Sequence, residues 1–153
     1  MSGAWSTLLL VVHACATLAM AGLIWFVQIV HYPLMAQVGE ACWARYSELH
    51  RRKTTLVVAP LMLLEAGAAV VLVIGWWAVP AGTLAKPSSA AWTGLTLLVV
   101  AWVSTFAVQV PLHTALGSCY DRRALRLLVR TNWIRTIAWS GRGVIAAWML
   151  GHP

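Results

Sequence analysis

The chain has 153 residues, 61% of them hydrophobic and only 10% charged. Soluble domains carry roughly 25% charged residues, so the composition excludes an ordinary soluble fold and points to one domain, residues 1–153, embedded in a membrane. The net charge of +7 does not point to nucleic acid, because eight of the eleven Lys and Arg residues fall in two segments between apolar runs, Arg45 to Lys53 and Arg122 to Arg130, with no nucleic-acid-binding motif beside them.

The first apolar run, Trp5 to Tyr32, has no charged residue before it and is too long for a signal-peptide core. It is expected to be a retained transmembrane helix, disturbed at Pro33. The second helix is expected over Thr54 to Ala78, with a helical extension starting near Ala41. Pro80, Gly82, Pro87, Ser88 and Ser89 then mark a loop. The third helix is expected over Trp92 to Leu116, closed by Gly117 and Ser118. The fourth covers Leu125 to Leu150, capped by Ser118 or Asp121. At about 1.5 Å per residue each crosses a ~30 Å hydrocarbon core. Pro60 and Pro111 lie inside helices and are expected to kink them.

The expected fold is therefore all-α, a four-transmembrane-helix bundle. The basic loops put residues 33–53 and 117–127 in the cytoplasm and both termini on the non-cytoplasmic side. Trp5, Trp76, Trp77, Trp92 and Trp148 then form an outer aromatic belt. Cys15, Cys42 and Cys119 have no CxxC spacing, so neither a disulfide framework nor a cysteine zinc site is read. Gln28 with His31 in the first helix echoes Gln109 with His113 in the third, which suggests a duplicated hairpin.

Polar residues inside apolar helices are expensive, about 2.5–3.5 kcal/mol per ionisable group on insertion scales, and are functional candidates by default. Here they sort onto single helical faces. His13, Thr17, Gln28 and His31 share one face, as do Ser47, His50, Thr54 and Glu65. Thr105, Gln109 and His113 share another, and so do Asn132, Arg135, Trp139 and Arg142. Depth divides them into two layers. Gln28, His31, His50, Gln109, His113, Asn132 and Arg135 lie near the cytoplasmic end. Glu65 and Arg142 lie deeper, and Glu65 is expected to pair with Arg142 or with His13.

His31, His50 and His113 come from three helices. They are either ligands to a metal ion, copper or iron before zinc, or to haem, or else interfacial histidines bonded to carbonyls and water. Gln28, Gln109 and Asn132 either orient a substrate or cofactor or clamp helices together. Arg135 either stabilises negative charge at a reacting centre or snorkels to headgroups. Glu65 and Arg142 form either a general base and cofactor contact or a structural pair.

The blocks Val27-Gln28-Ile29-Val30-His31-Tyr32-Pro33, Tyr46 to His50 with Arg52, Ala59-Pro60 leading to Leu64-Glu65, Gln109-Val110-Pro111-Leu112-His113 and Asn132-Trp133-Ile134-Arg135-Thr136 resemble a family of uncharacterised bacterial four-helix membrane proteins. The last two blocks also resemble, more distantly, the domain-of-unknown-function family that includes fungal anthrone oxygenases. That family carries a histidine where Asn132 stands, a departure that bears on any catalytic role carried over to this position. The stretch ending in His31-Tyr32-Pro33 is similar to the haem-binding membrane protoporphyrinogen oxidases, without their usual arginine and lysine placements. These resemblances imply a multi-pass protein of a bacterial inner membrane and oxidation of a lipophilic aromatic substrate.

The reading that follows is a membrane-embedded oxidoreductase or redox-cofactor protein. Its partners are the lipid bilayer and a lipophilic small molecule, and it acts alone, as a homo-oligomer or within a larger membrane complex. The alternatives are a small transporter or channel subunit using a Glu65–Arg142 relay, and an accessory subunit whose polar core serves packing.

Overall fold

The computed structural model describes residues 2–78 and 86–152, and every regular element among them is helical. The first apolar run forms α1 (Ser2–Phe26), a π-helical turn (Val27–His31) and the short α2 (Tyr32–Met35). Helix α3 runs from Glu40 to Ala78, so the extension expected from Ala41 is present. The third run forms α4 (Ser89–Ser104), a second π turn (Thr105–Gln109) and α5 (Val110–Ser118), and α6 spans Arg122–Gly151. Ser88 caps α4 by accepting from the Ala91 amide at 3.2 Å. Asp121 caps α6 by accepting from the Arg123 and Ala124 amides. Pro80 and Gly82 of the expected loop lie outside the described residues.

Three stretches, Gly3–Met35, Glu40–Gly75 and Ser89–Gly117, are long and apolar enough to cross a bilayer. Helix α6 packs against α1 and α4, and α3 packs against α1, α4 and α5. The burial pattern departs from that of a soluble bundle. Leu56, Leu63, Ile137 and Val144 face outward and are at least 64% exposed, whereas Glu65, Gln109, Asn132 and Arg142 are at most 1% exposed. The exposed Trp5, Trp77, Trp92 and Trp148 gather at the end of the bundle where α1 begins and α6 ends. At the opposite end Trp43 is fully buried with Tyr32, Leu116 and Leu128, and its indole N–H donates to the Leu116 carbonyl at 2.6 Å.

Two of the prolines explain the π turns. A proline lacks an amide hydrogen and its ring clashes with the carbonyl four residues back, so a wider turn just before it relieves both problems. The Tyr32 amide bonds to Val27 O and the Val110 amide to Thr105 O, five residues back in each case, immediately before Pro33 and Pro111. Pro60 lies inside α3, which runs from Glu40 to Ala78. The π turns also bear on the expected duplication. Positions 27 and 105, like positions 33 and 111, lie 78 apart, which sets His31 opposite Gln109 rather than opposite His113.

The first π turn has a further consequence for side-chain direction. Each residue in it advances less than the 100° of an α-helix, which swings His31 off the core face and brings Tyr32 onto it. Tyr32 is accordingly buried, and His31 is only half-buried.

Candidate functional site

A cavity of about 270 Å³ lies between the first π turn, α3, the second π turn and α6. Met20, Ile24, Val58 and Met62 give it apolar walls, and Tyr32, His50, Gln109, His113 and Arg135 give it a polar base. Thr55, Phe106 and Val110, all exposed, lie at its rim. The cavity is therefore open sideways, between α3 and the second π turn. A hollow of about 230 Å³ shares His50 and His113 with it and extends to Arg51 and Thr114.

A directional hydrogen-bond chain underlies the base. Thr131 Oγ1 donates to the Leu127 carbonyl at 2.8 Å, so it accepts from Gln109 Nε2 at 2.9 Å. That orients Gln109 with Oε1 toward Tyr32, whose hydroxyl donates to it at 3.3 Å. A hydroxyl has a single proton, so Tyr32 Oη accepts from His113 Nε2, 3.4 Å away. The network thus assigns the proton of a neutral His113 to Nε2 and leaves Nδ1 as its accepting nitrogen.

The structure brings the three expected histidines together. His31 and His50 have ring centroids 4.5 Å apart, and His50 and His113 are 5.4 Å apart. The first pair is stacked at 19°, and Tyr46 stacks on His50 at 7°. Imidazole lone pairs lie in the ring plane, so stacked rings aim their nitrogens side by side and not at one point. His31 Nε2 lies 3.4 Å from the Tyr46 hydroxyl, and His50 Nδ1 lies 3.0 Å from Thr54 Oγ1. Among the described residues no group of three His, Cys, Asp or Glu is disposed to hold a metal ion. As arranged, the cluster does not fit the three-histidine centre expected from the sequence, because a metal needs the three nitrogens converging at about 2.0–2.1 Å.

Arg135 is buried, with its guanidinium 5.3 Å from the Trp139 ring centroid, and its Nε has no hydrogen-bond partner. The two other expected polar contacts lie behind the cavity. Asn132 Nδ2 donates to Gln28 Oε1 at 2.7 Å, and Gln28 Nε2 donates to the Val129 carbonyl at 3.3 Å. Gln28 and Gln109 thus each tie a π turn to α6, the clamp arrangement open in the sequence.

Glu65 and Arg142 form the deeper layer, apart from the cavity. Arg142 Nε donates to Glu65 Oε1 at 2.8 Å, and Trp139 Nε1 donates to Glu65 Oε2 at 2.9 Å. Arg142 Nη1 also donates to the Gly94 carbonyl. The partner of Glu65 is thus Arg142 and not His13, whose Nδ1 is buried without a partner. The adjoining void, lined by His13, Gly94 and Arg142, measures about 10 Å³.

Tyr32, Tyr46 and Thr131 were not among the expected site residues. Tyr46 was accessible by spacing, since it precedes His50 by four residues on one helix face. Tyr32 was hidden by the π turn. No family model, curated protein or solved structure matches the chain.

Proposed function

We propose that this chain is an integral membrane protein that admits a lipophilic small molecule sideways from the bilayer and oxidises it next to its polar head. The observation that carries the reading is the laterally open cavity, apolar in its walls and polar at its base. Arg135 would hold the head of the molecule. His113 would take up at Nδ1 a proton released from a C–H or O–H group beside that head, with Tyr32 and Gln109 fixing the ring. The electron pair and the second proton of that two-electron oxidation would pass to a lipophilic acceptor of the quinone class.

The membrane arrangement belongs to the same proposal. The outward side of α6 is apolar at Ile137, Val144 and Trp148, while its charged Arg135 and Arg142 face inward. From Thr131 onward α6 is about 30 Å long, which suits a fourth crossing. Positive-inside bias then sets Arg45–Lys53 and Arg122–Arg130 toward the cytoplasm of a bacterial inner membrane, with both termini outside. Cys42 and Cys119 are exposed near those basic segments, and Cys15 is exposed within α1. In right-side-out cells a membrane-impermeant maleimide is expected to label Cys42 and Cys119 only after permeabilisation. Labelling of either in intact cells would reverse the orientation.

A metal or haem held by His31, His50 and His113 is the second reading, supported by the proximity of the three rings. It requires His31 to leave its stack on His50, and no step above is routed through it. The relay and accessory-subunit alternatives draw less support, since both carboxylate oxygens of Glu65 are already bonded.

One preparation tests both readings. Protein purified in zwitterionic nanodiscs is expected to release a stoichiometric lipophilic compound on solvent extraction. Ala59→Phe, placed at the cavity wall, is expected to remove it while leaving gel-filtration behaviour unchanged. Equal recovery from both proteins would sink the cavity reading. An absorption spectrum and metal analysis of the same sample decide the second reading: neither a Soret band nor stoichiometric metal after reconstitution would end it.

A further inference from the structure

We infer that the molecule this cavity receives is a lipophilic monoanion, a carboxylate-headed amphiphile whose head sits on Arg135. The inference rests on the cavity reading above and adds the charge and class of the ligand.

Helix α6 carries two buried guanidinium groups on one face, seven residues and about two turns apart. Their surroundings differ in one respect. Arg142 has the Glu65 carboxylate and the Gly94 carbonyl, and the void beside it is about 10 Å³. Arg135 has neither a hydrogen bond nor an ion pair among the described residues, and it lines a cavity of about 270 Å³. Where Arg142 meets a carboxylate, Arg135 meets space.

The chain has no carboxylate left to fill that space. It contains four acidic residues in all. Glu65 is committed to Arg142 and Trp139. Asp121 caps α6, Glu48 pairs with Arg51 at the surface, and Glu40 is exposed at the start of α3. A guanidinium cannot shed its proton, so it cannot escape burial by becoming neutral. The Trp139 face at 5.3 Å offsets part of the cost, and a neutral ring does not supply a counter-charge. The counter-charge must come from the ligand.

The remaining lining selects among anions. Among the described residues Arg135 is the one Lys or Arg that lines the cavity, which matches a charge of minus one. A carboxylate fits the planar guanidinium fork. Met20, Ile24, Val58 and Met62 suit an alkyl or aryl tail. Val110 and Phe106 at the rim let that tail reach outward between helices.

The test is a head-group series on the intact protein in zwitterionic nanodiscs, with radiolabelled dodecanoate, dodecanol and dodecylamine measured by equilibrium dialysis against empty nanodiscs. Dodecanoate is expected to bind saturably and at least about tenfold tighter than dodecanol, with dodecylamine weakest. Arg135→Met is expected to remove that preference, and Arg135→Lys to keep a part of it. Saturable dodecanol binding as tight as dodecanoate would overturn the anion inference and leave the cavity reading standing. Absence of saturable binding by any of the three, on protein with a wild-type near-ultraviolet dichroism spectrum, would overturn both. Dodecanoate preference that persists in a folded Arg135→Met protein would also overturn the assignment. Should that variant not fold, the series on the unaltered protein still decides.

Discussion

Glu65→Leu is expected to lower the stability of the bundle by about 3–5 kcal/mol, the usual cost of removing one partner from a buried ion pair. The carboxylate is fully buried and both its oxygens are bonded, one to Arg142 Nε and one to Trp139 Nε1. Leucine leaves Arg142 buried with the Gly94 carbonyl as its remaining partner and orphans the Trp139 indole. Arg142→Met is expected to cost less. A carboxyl stranded in the core can take up a proton, whereas a guanidinium cannot lose one, and the Trp139 bond would remain. The double replacement Glu65→Leu/Arg142→Met is expected to recover most of the loss, since no buried charge is left behind. Unfolding in mixed detergent, followed by tryptophan fluorescence, gives the ranking. A Glu65→Leu protein as stable as the unaltered one would refute the structural role of the pair. That result would return Glu65 and Arg142 to the candidates for a relay.

The same pair shows how far depth counting on a sequence can reach. Glu65 and Arg142 are far apart in the chain, yet on antiparallel helices of known length their depths coincide, and the ion pair follows. The helices themselves were legible because their apolar runs are long, and Asp121 carries an ordinary N-cap signal for α6, whereas the Ser88 cap was read as loop and α4 begins three residues before Trp92. The inward polar face of α6 was legible for a related reason: an α-helix repeats every 3.6 residues, and Asn132, Arg135, Trp139 and Arg142 obey that period.

What was not legible arose where the period changes. A π turn inserts a residue into the register without marking it in composition, and the sole trace is a proline just downstream. A constant 100° step therefore put His31 on the core face, where the structure has Tyr32. The echo of Gln28 with Gln109 and of His31 with His113 rested on residue types alone, whereas the turns and prolines align 78 residues apart. The direction of ring planes is a second kind of information that spacing lacks. Three imidazoles near one depth look alike in sequence whether they converge on an ion or stack, and here His31 and His50 stack.

Arg135→Met is expected to act in the opposite sense to Glu65→Leu and to stabilise the ligand-free protein, by about 1–2 kcal/mol. The unaltered protein holds a guanidinium whose Nε has no partner, against a cavity and one aromatic face. Methionine is close in length, flexible enough to fill part of the cavity, and free of buried charge. A site kept at a cost to stability is what a binding role for Arg135 requires, because packing alone would favour its loss. The ligand reverses the order. At about 100 times its dissociation constant a ligand stabilises the folded state by about 2.7 kcal/mol. Dodecanoate is therefore expected to raise the unfolding midpoint of the unaltered protein and leave that of Arg135→Met unmoved, so the two curves cross as dodecanoate is added. If Arg135→Met is instead less stable without ligand, by 2 kcal/mol or so, Arg135 is held by packing and its Trp139 contact. The cavity beside it would then need no counter-charge.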